Sequence, residues 1–183
     1  MAEIGRRLIH ASGTAAPASY LLGVLTWEQL GWLLTIGLVA VFVLEAIRLR
    51  VGLDWWIYEN LTREYEREKV AGYALYMVGM VLASAFPPAI GVPAMLMLAI
   101  GDPLGGYLGG GSRRKGVGAI AAVFVVCFAL AIPFVSPGVA ALGALAATAA
   151  DGYLVSIQGY VIDDNLTIPF ASAVTMWLAT TLL

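Results

Sequence analysis

The sequence predicts an all-α, polytopic integral membrane protein of about seven transmembrane helices with one short re-entrant or interfacial segment. Three observations predict it. Hydrophobic residues make up 61% of the chain and charged residues only 12%, with a mean hydropathy of +0.88, a composition suited to lipid as the main solvent. Uncharged stretches run over 8–27, 29–44, 70–101, 116–150, 152–162 and 165–183, and a spanning helix needs about 20 apolar residues. The cations fall in four clusters: Arg6 and Arg7; Arg48 and Arg50; Arg63, Arg67 and Lys69; Arg113, Arg114 and Lys115. Counting crossings puts all four on one face, which the positive-inside rule makes cytosolic together with the N-terminus.

Stretch 8–27, behind Arg6 and Arg7, resembles a signal-peptide core but is longer than one, and further spans follow, so it reads as the first helix. Glu28 lies in the next turn and is the one formal charge left outside. Stretch 29–44 is the second helix, and at its inner end Glu45 and Arg48 stand at i,i+3, placed to neutralise each other. Segment 48–72 is cytosolic. Its Trp55, Trp56 and Tyr58 suit the headgroup level, and Glu59, Arg63 and Arg67 at i,i+4 spacing suit a solvated interfacial helix. Stretch 70–101 is broken by Pro87-Pro88 and stretch 116–150 by Pro133 to Pro137, because proline removes a helical hydrogen bond and clashes with the preceding turn. Each is therefore a hairpin of two spans. Stretch 152–162 is too short to cross and 165–183 makes the last span. Small residues over 138–150 leave room for a lateral slot between helices. No repeat or linker divides the chain, so residues 1–183 form one domain. The lone Cys127 excludes an intrachain disulfide and reads as packing. The net charge of −2, with short basic clusters interleaved with acids, argues against a nucleic-acid partner.

Two polar segments carry the chemistry. In 101-GDPLGGYLGGGSRRKGVGA-119 an acid, Asp102, is followed by glycines that let backbone N–H groups approach anionic oxygens, and then by three cations. The same glycines also fit helix contacts of the small-xxx-small kind, with the cations as a topology signal. In 163-DDNLTIP-169 two adjacent carboxylates and an amide sit at a membrane boundary, where ionisable groups must pair, hydrate or bind a cation. Mg2+ accepts such oxygen ligands, although Asp and Asn also favour helix caps. Arg6 and His10 lie one turn apart on one face of the first helix, where a histidine otherwise simply meets headgroups.

Across almost its whole length the chain resembles the CTP-dependent membrane lipid kinases, the family of dolichol kinase, phytol kinase and CTP-dependent diacylglycerol kinase. The opening 3-EIGRRLIH-10 is similar to the family's E-x-x-R-K-x-x-H, and 163-DDNLTIP-169 to its D-D-N-x-T-x-P. Between them Arg63, Glu66 and Gly72 resemble its R-P-x-E with a following glycine. Asp102, Gly109 and 113-RRKGVG-118 resemble its nucleotide signature, with Gly105 where the family has alanine and Lys115 and Val117 where it has threonine and glutamate. The resemblance implies transfer of the γ-phosphate of CTP, with Mg2+, to the hydroxyl of a membrane isoprenoid alcohol. It implies that Arg113, Arg114 and Lys115 grip the phosphates, helped by Gly109, Gly118, Arg6, Arg7, His10, Arg63 and Glu66. Asp102, Asp163 and Asp164 would be the catalytic and metal-binding carboxylates, with Asn165 completing the metal shell. A cytidylyltransferase making a CDP-activated lipid is the alternative within the superfamily. A small transporter is disfavoured because the charges sit at one boundary rather than at mid-membrane. The sequence leaves monomer and homodimer both open.

Overall fold

The computed structural model describes residues 8–52, 69–109, 116–152, 156–157, 160–161 and 163–182. Its architecture is all-helical, apart from one antiparallel pair of two-residue strands within the segment expected to be re-entrant or interfacial: β1 (Ser156–Ile157) and β2 (Tyr160–Val161), with Ser156 opposite Val161.

The first predicted helix is two pieces, a helical turn over 8–12 and α1 (Ala15–Leu21). They are separated at Gly13, where Tyr76 of a later helix comes so close that any side chain at 13 would collide with its ring. Helix α2 (Trp27–Val51) starts at a capping box, in which the Thr26 hydroxyl accepts from the Gln29 N–H at 3.2 Å and the Gln29 side chain accepts from the Thr26 N–H at 2.9 Å. It stops at Gly52, whose φ of 69° is the left-handed conformation that glycine adopts without strain. Glu28 therefore belongs to the first turn of α2, where its charge complements the helix dipole.

Helix α3 (Gly72–Ser84) ends ahead of Pro87-Pro88, as the prolines require, and α4 (Pro88–Leu96) begins at the second of them. The chain then runs through a π-helical turn (Met97–Gly101) into α5 (Asp102–Leu108). Gly105 and Gly106 thus lie inside a helix, not in an open loop. Helices α6 (Val117–Ala131) and α7 (Pro137–Gly152) flank the second proline break, and α8 (Asp164–Leu182) closes the chain.

Helix α8 is central, packed along α7 and α3 and across α4. The buried stripe of α7, Ala140, Gly143, Ala144, Ala147 and Thr148, faces a partner that buries Ser172, Ala173, Met176 and Ala179. Small residues let two backbones approach closely, and a Cβ at Gly143 would run into Met176. The small residues of 138–150 therefore serve close helix contact rather than the lateral slot expected of them.

Helix α2 is peripheral. It packs on α3 and exposes Trp32, Leu33, Ile36, Val39 and Val43 along its length. Two polar ties hold it: Trp27 Nε1 donates to Phe86 O at 3.0 Å, and the Glu45–Arg48 pair forms at the other end as the spacing predicts. Arg48 Nε and Nη2 donate to the two Glu45 oxygens at 2.9 and 2.6 Å, and Nη2 also reaches Lys69 O at 2.7 Å. Glu45 is 1% exposed, so its charge must be satisfied internally. The Ala71 N–H, at 2.7 Å, and the Tyr73 hydroxyl complete it.

Candidate metal centre

Three helix ends converge. Asp102 opens α5, Asp151 lies in the last turn of α7, and Asp164 opens α8. One carboxylate oxygen from each comes within 4.8 Å of the others, and all three side chains are half-buried. Like charges so placed repel strongly once water is thinned out around them. A divalent cation, whose ligands are carboxylate and carbonyl oxygens, relieves that repulsion.

The tandem Asp163-Asp164 divides its labour. Asp163 caps α8: its backbone carbonyl accepts from Leu166 at 3.1 Å and Thr167 at 3.2 Å, and its Oδ1 accepts from the Asn165 N–H at 3.0 Å and the Asn165 side-chain amide at 2.6 Å. Burial first, and then the neighbouring Asp164 charge, push the Asp163 carboxyl above the usual carboxylate range, partly offset by the Asn165 donors. Asp164 Oδ1 is 3.0 Å from the same N–H and belongs to the acid cluster. Within this motif Asp163 caps the helix and Asp164 joins the acid cluster. Asn165 is 9% exposed, and with its amide nitrogen spent on Asp163 its Oδ1 is buried without a hydrogen-bond partner. A buried carbonyl oxygen that lacks a donor, one residue along from Asp164, has the chemistry of a ligand for a hard cation.

His10 approaches from the helical turn over 8–12. Its Nε2 lies 3.0 Å from Leu98 O, in the π turn, and 3.4 Å from Asp102 Oδ2. A carbonyl only accepts, so Nε2 carries the proton. Tyr76 of α3 packs edge-on against the imidazole at a ring separation of 4.4 Å and donates its hydroxyl to His10 O at 3.2 Å.

Of the residues singled out by sequence, the structure brings Asp102, Asp164, Asn165 and His10 to one end of the bundle, with Asp163 as the adjacent cap. Gly109 is the C-cap of α5, its N–H donating to Gly105 O at 2.9 Å. Gly118 sits in the exposed first turn of α6 with open space around it. Arg6, Arg7, Arg63, Glu66, Arg113, Arg114 and Lys115 lie outside the described residues, as do Trp55, Trp56 and Tyr58.

Asp151 was missed. Its signal was present, since like Glu28 it is a lone acid between two uncharged stretches, and an isolated ionisable group between apolar segments is a candidate site. Thr148, one turn earlier on α7, is 6% exposed with its hydroxyl unpartnered. No family model, curated protein or solved structure matches the chain.

Proposed function

We propose that this protein is an integral membrane phosphotransferase that uses Mg2+ and CTP to phosphorylate the hydroxyl of a membrane isoprenoid alcohol, giving the lipid monophosphate and CDP. The observation that carries this reading is the meeting of Asp102, Asp151 and Asp164 from three helices within 4.8 Å, with the orphaned oxygen of Asn165 one residue along the chain from Asp164. Phosphoryl transfer asks a protein chiefly for positioning and charge stabilisation. Mg2+ held by these carboxylates would supply the second by neutralising phosphate charge. The cationic run Arg113, Arg114 and Lys115 follows the helix that Asp102 opens by a few residues, which suits it to the triphosphate. The motifs at 3–10, 102–118 and 163–169, with their resemblance to CTP-dependent lipid kinases, supply the choice of nucleotide and acceptor.

The membrane setting is part of the proposal. Trp27–Val51 and Pro88–Leu108 are long and apolar enough to span, and only 17% of the most apolar stretch of the first is buried, against 67% for the second. A core helix of a water-soluble protein would be buried, so an apolar helix left bare over its length suits lipid contact. With the shorter apolar helices also crossing, the total is about seven, with helices that run alternately inward and outward and the acids at inner ends. The lipid alcohol keeps its tail in the bilayer and presents its hydroxyl at the cytosolic boundary, where nucleotide and metal arrive.

The test is incubation of purified protein with γ-labelled CTP, Mg2+ and a panel of dolichol, geranylgeraniol, phytol and diacylglycerol. Label transferred to one of the isoprenoid alcohols is the expected result. Label in none of the lipids rejects the kinase reading, and CDP-lipid with pyrophosphate as products would replace it with cytidylyl transfer.

A further inference from the structure

The path of the chain into Asp102 contains a defect that another part of the molecule repairs. In a π turn each carbonyl pairs with the N–H five residues on. For Leu98 that residue is Pro103, which has no N–H to give. Leu98 O therefore cannot close a π-type bond, inside a helix where Leu98 is fully buried and where a carbonyl short of donors is costly. His10 Nε2 stands 3.0 Å from that oxygen. The same nitrogen is 3.4 Å from Asp102 Oδ2.

The π turn matters for direction. An added residue in a helical turn rotates everything after it by roughly 100° about the axis, so whether Asp102 faces Asp151 and Asp164 depends on the turn Met97–Gly101 keeping its form. We propose that His10 is a positioning residue for the metal centre: its Nε2–H donates to the carbonyl that Pro103 cannot serve, holds the π turn, and thereby aims Asp102 into the acid cluster. This rests on the reading of Asp102, Asp151 and Asp164 as a divalent-cation site. His10 is well fixed for the role, with its ring against Tyr76 and its own carbonyl taking the Tyr76 hydroxyl. A partner that orients a metal-binding side chain typically sets metal affinity by about 10- to 100-fold.

Two substitutions separate this role from ring packing. His10→Phe keeps an aromatic ring against Tyr76 and loses the N–H; His10→Gln loses the ring and keeps an amide N–H at a similar reach. Mn2+, a spectroscopic substitute for Mg2+, is titrated into full-length protein in detergent micelles, and free Mn2+ is followed by its electron paramagnetic resonance signal. Thermal melting of each variant without metal reports folding separately. The expected result is Mn2+ binding weakened by about 10- to 100-fold in His10→Phe and largely recovered in His10→Gln. Wild-type binding in His10→Phe with loss in His10→Gln assigns the residue to packing and overturns the inference. Equal binding in all three proteins overturns it too. Neither result touches the kinase reading, which falls on the lipid-labelling assay; a wild type that takes up no Mn2+ overturns the inference, and the labelling assay still decides the transfer.

Discussion

At the scale of single residues, the acid cluster makes the sharpest demand. Asp151 is held with Asp102 and Asp164, so Asp151→Asn removes a ligand atom while keeping shape. If partners that merely orient a ligand carry about 10- to 100-fold, loss of a ligand itself is expected to lower turnover by more than about 100-fold, with the melting temperature kept or raised because like charges have been thinned. Full turnover would take Asp151 out of the metal site. Thr148 presents the opposite case. Its buried hydroxyl lacks a partner, and such a group costs about 1–3 kcal/mol. Thr148→Val, nearly the same shape, is therefore expected to stabilise the protein by about 1 kcal/mol in denaturant unfolding. A loss of stability would mean that the hydroxyl has a partner in the protein as it exists in a membrane. Sequence singled out Asp102 and Asp164 because each stands at the edge of an apolar stretch beside recognisable polar motifs. It passed over Asp151, which stands at such an edge with no motif around it, and it could not tell that Asp163 would cap the helix that Asp164 opens.

At the scale of elements, chain punctuation was legible and helix contact was not. Pro87-Pro88 and Pro133 to Pro137 break helices where they must, whereas the stop of α2 at Gly52 was not singled out. The π turn escaped notice: the sequence shows that Pro103 has no N–H to offer a carbonyl five residues back, but not that His10, 88 positions away in sequence, stands at that carbonyl. Glycines, too, took their meaning only from partners. A Cβ on Gly79 of α3 would collide with the Asn165 backbone oxygen and stand 2.8 Å from Pro169 Cγ on α8. Pro169 lacks the N–H that would otherwise bond Asn165 O within α8, so that oxygen stays accessible to the neighbouring helix. Neither the backbone nor the proline ring can yield, so Gly79→Ala should cost about 1–3 kcal/mol and shift Asn165, lowering Mn2+ affinity as well. Unchanged melting with unchanged metal affinity would show that α3 and α8 have slack there. The polar clasp at the other end of α3 is equally specific. Arg48→Met leaves the Glu45 carboxylate 1% exposed without its cation, and breaking a buried pair from one side costs about 3–5 kcal/mol. Replacing both, as Glu45→Gln with Arg48→Met, should recover much of that loss, and the recovery measured by unfolding is the check.

At the scale of the whole molecule, α7 shows how the bundle closes, with its leucines outward and its small residues inward. Ala140, Gly143, Ala144 and Ala147 line the contact of α7 with α8, whereas Leu142 and Leu145 of α7 and Phe170, Trp177 and Leu178 of α8 are exposed. That inversion suits an environment in which hydrophobic burial does not drive helix association and close packing does. Composition made an apolar, helical protein legible from the start, but it could not decide how many helices cross, because α3 and α6 are short for a spanning segment and the first predicted span is broken at Gly13. A topology with the acid cluster inside makes a definite prediction. Cysteine placed at Glu28, at the start of α2, should react with a membrane-impermeant maleimide from outside intact cells, and cysteine placed at Gly116, ahead of α6, only in inverted vesicles. The native Cys127 is 1% exposed and should stay silent in both, which leaves the background clean without removing it. The two probes are separated along the chain by α2, α3 and the Pro88–Leu108 passage, an odd number of crossings, so opposite labelling is the necessary result if all three span. Labelling of both from the same side would mean that one of the three does not cross, and α3, with 13 residues and a length of about 20 Å, is the element on which that outcome would fall.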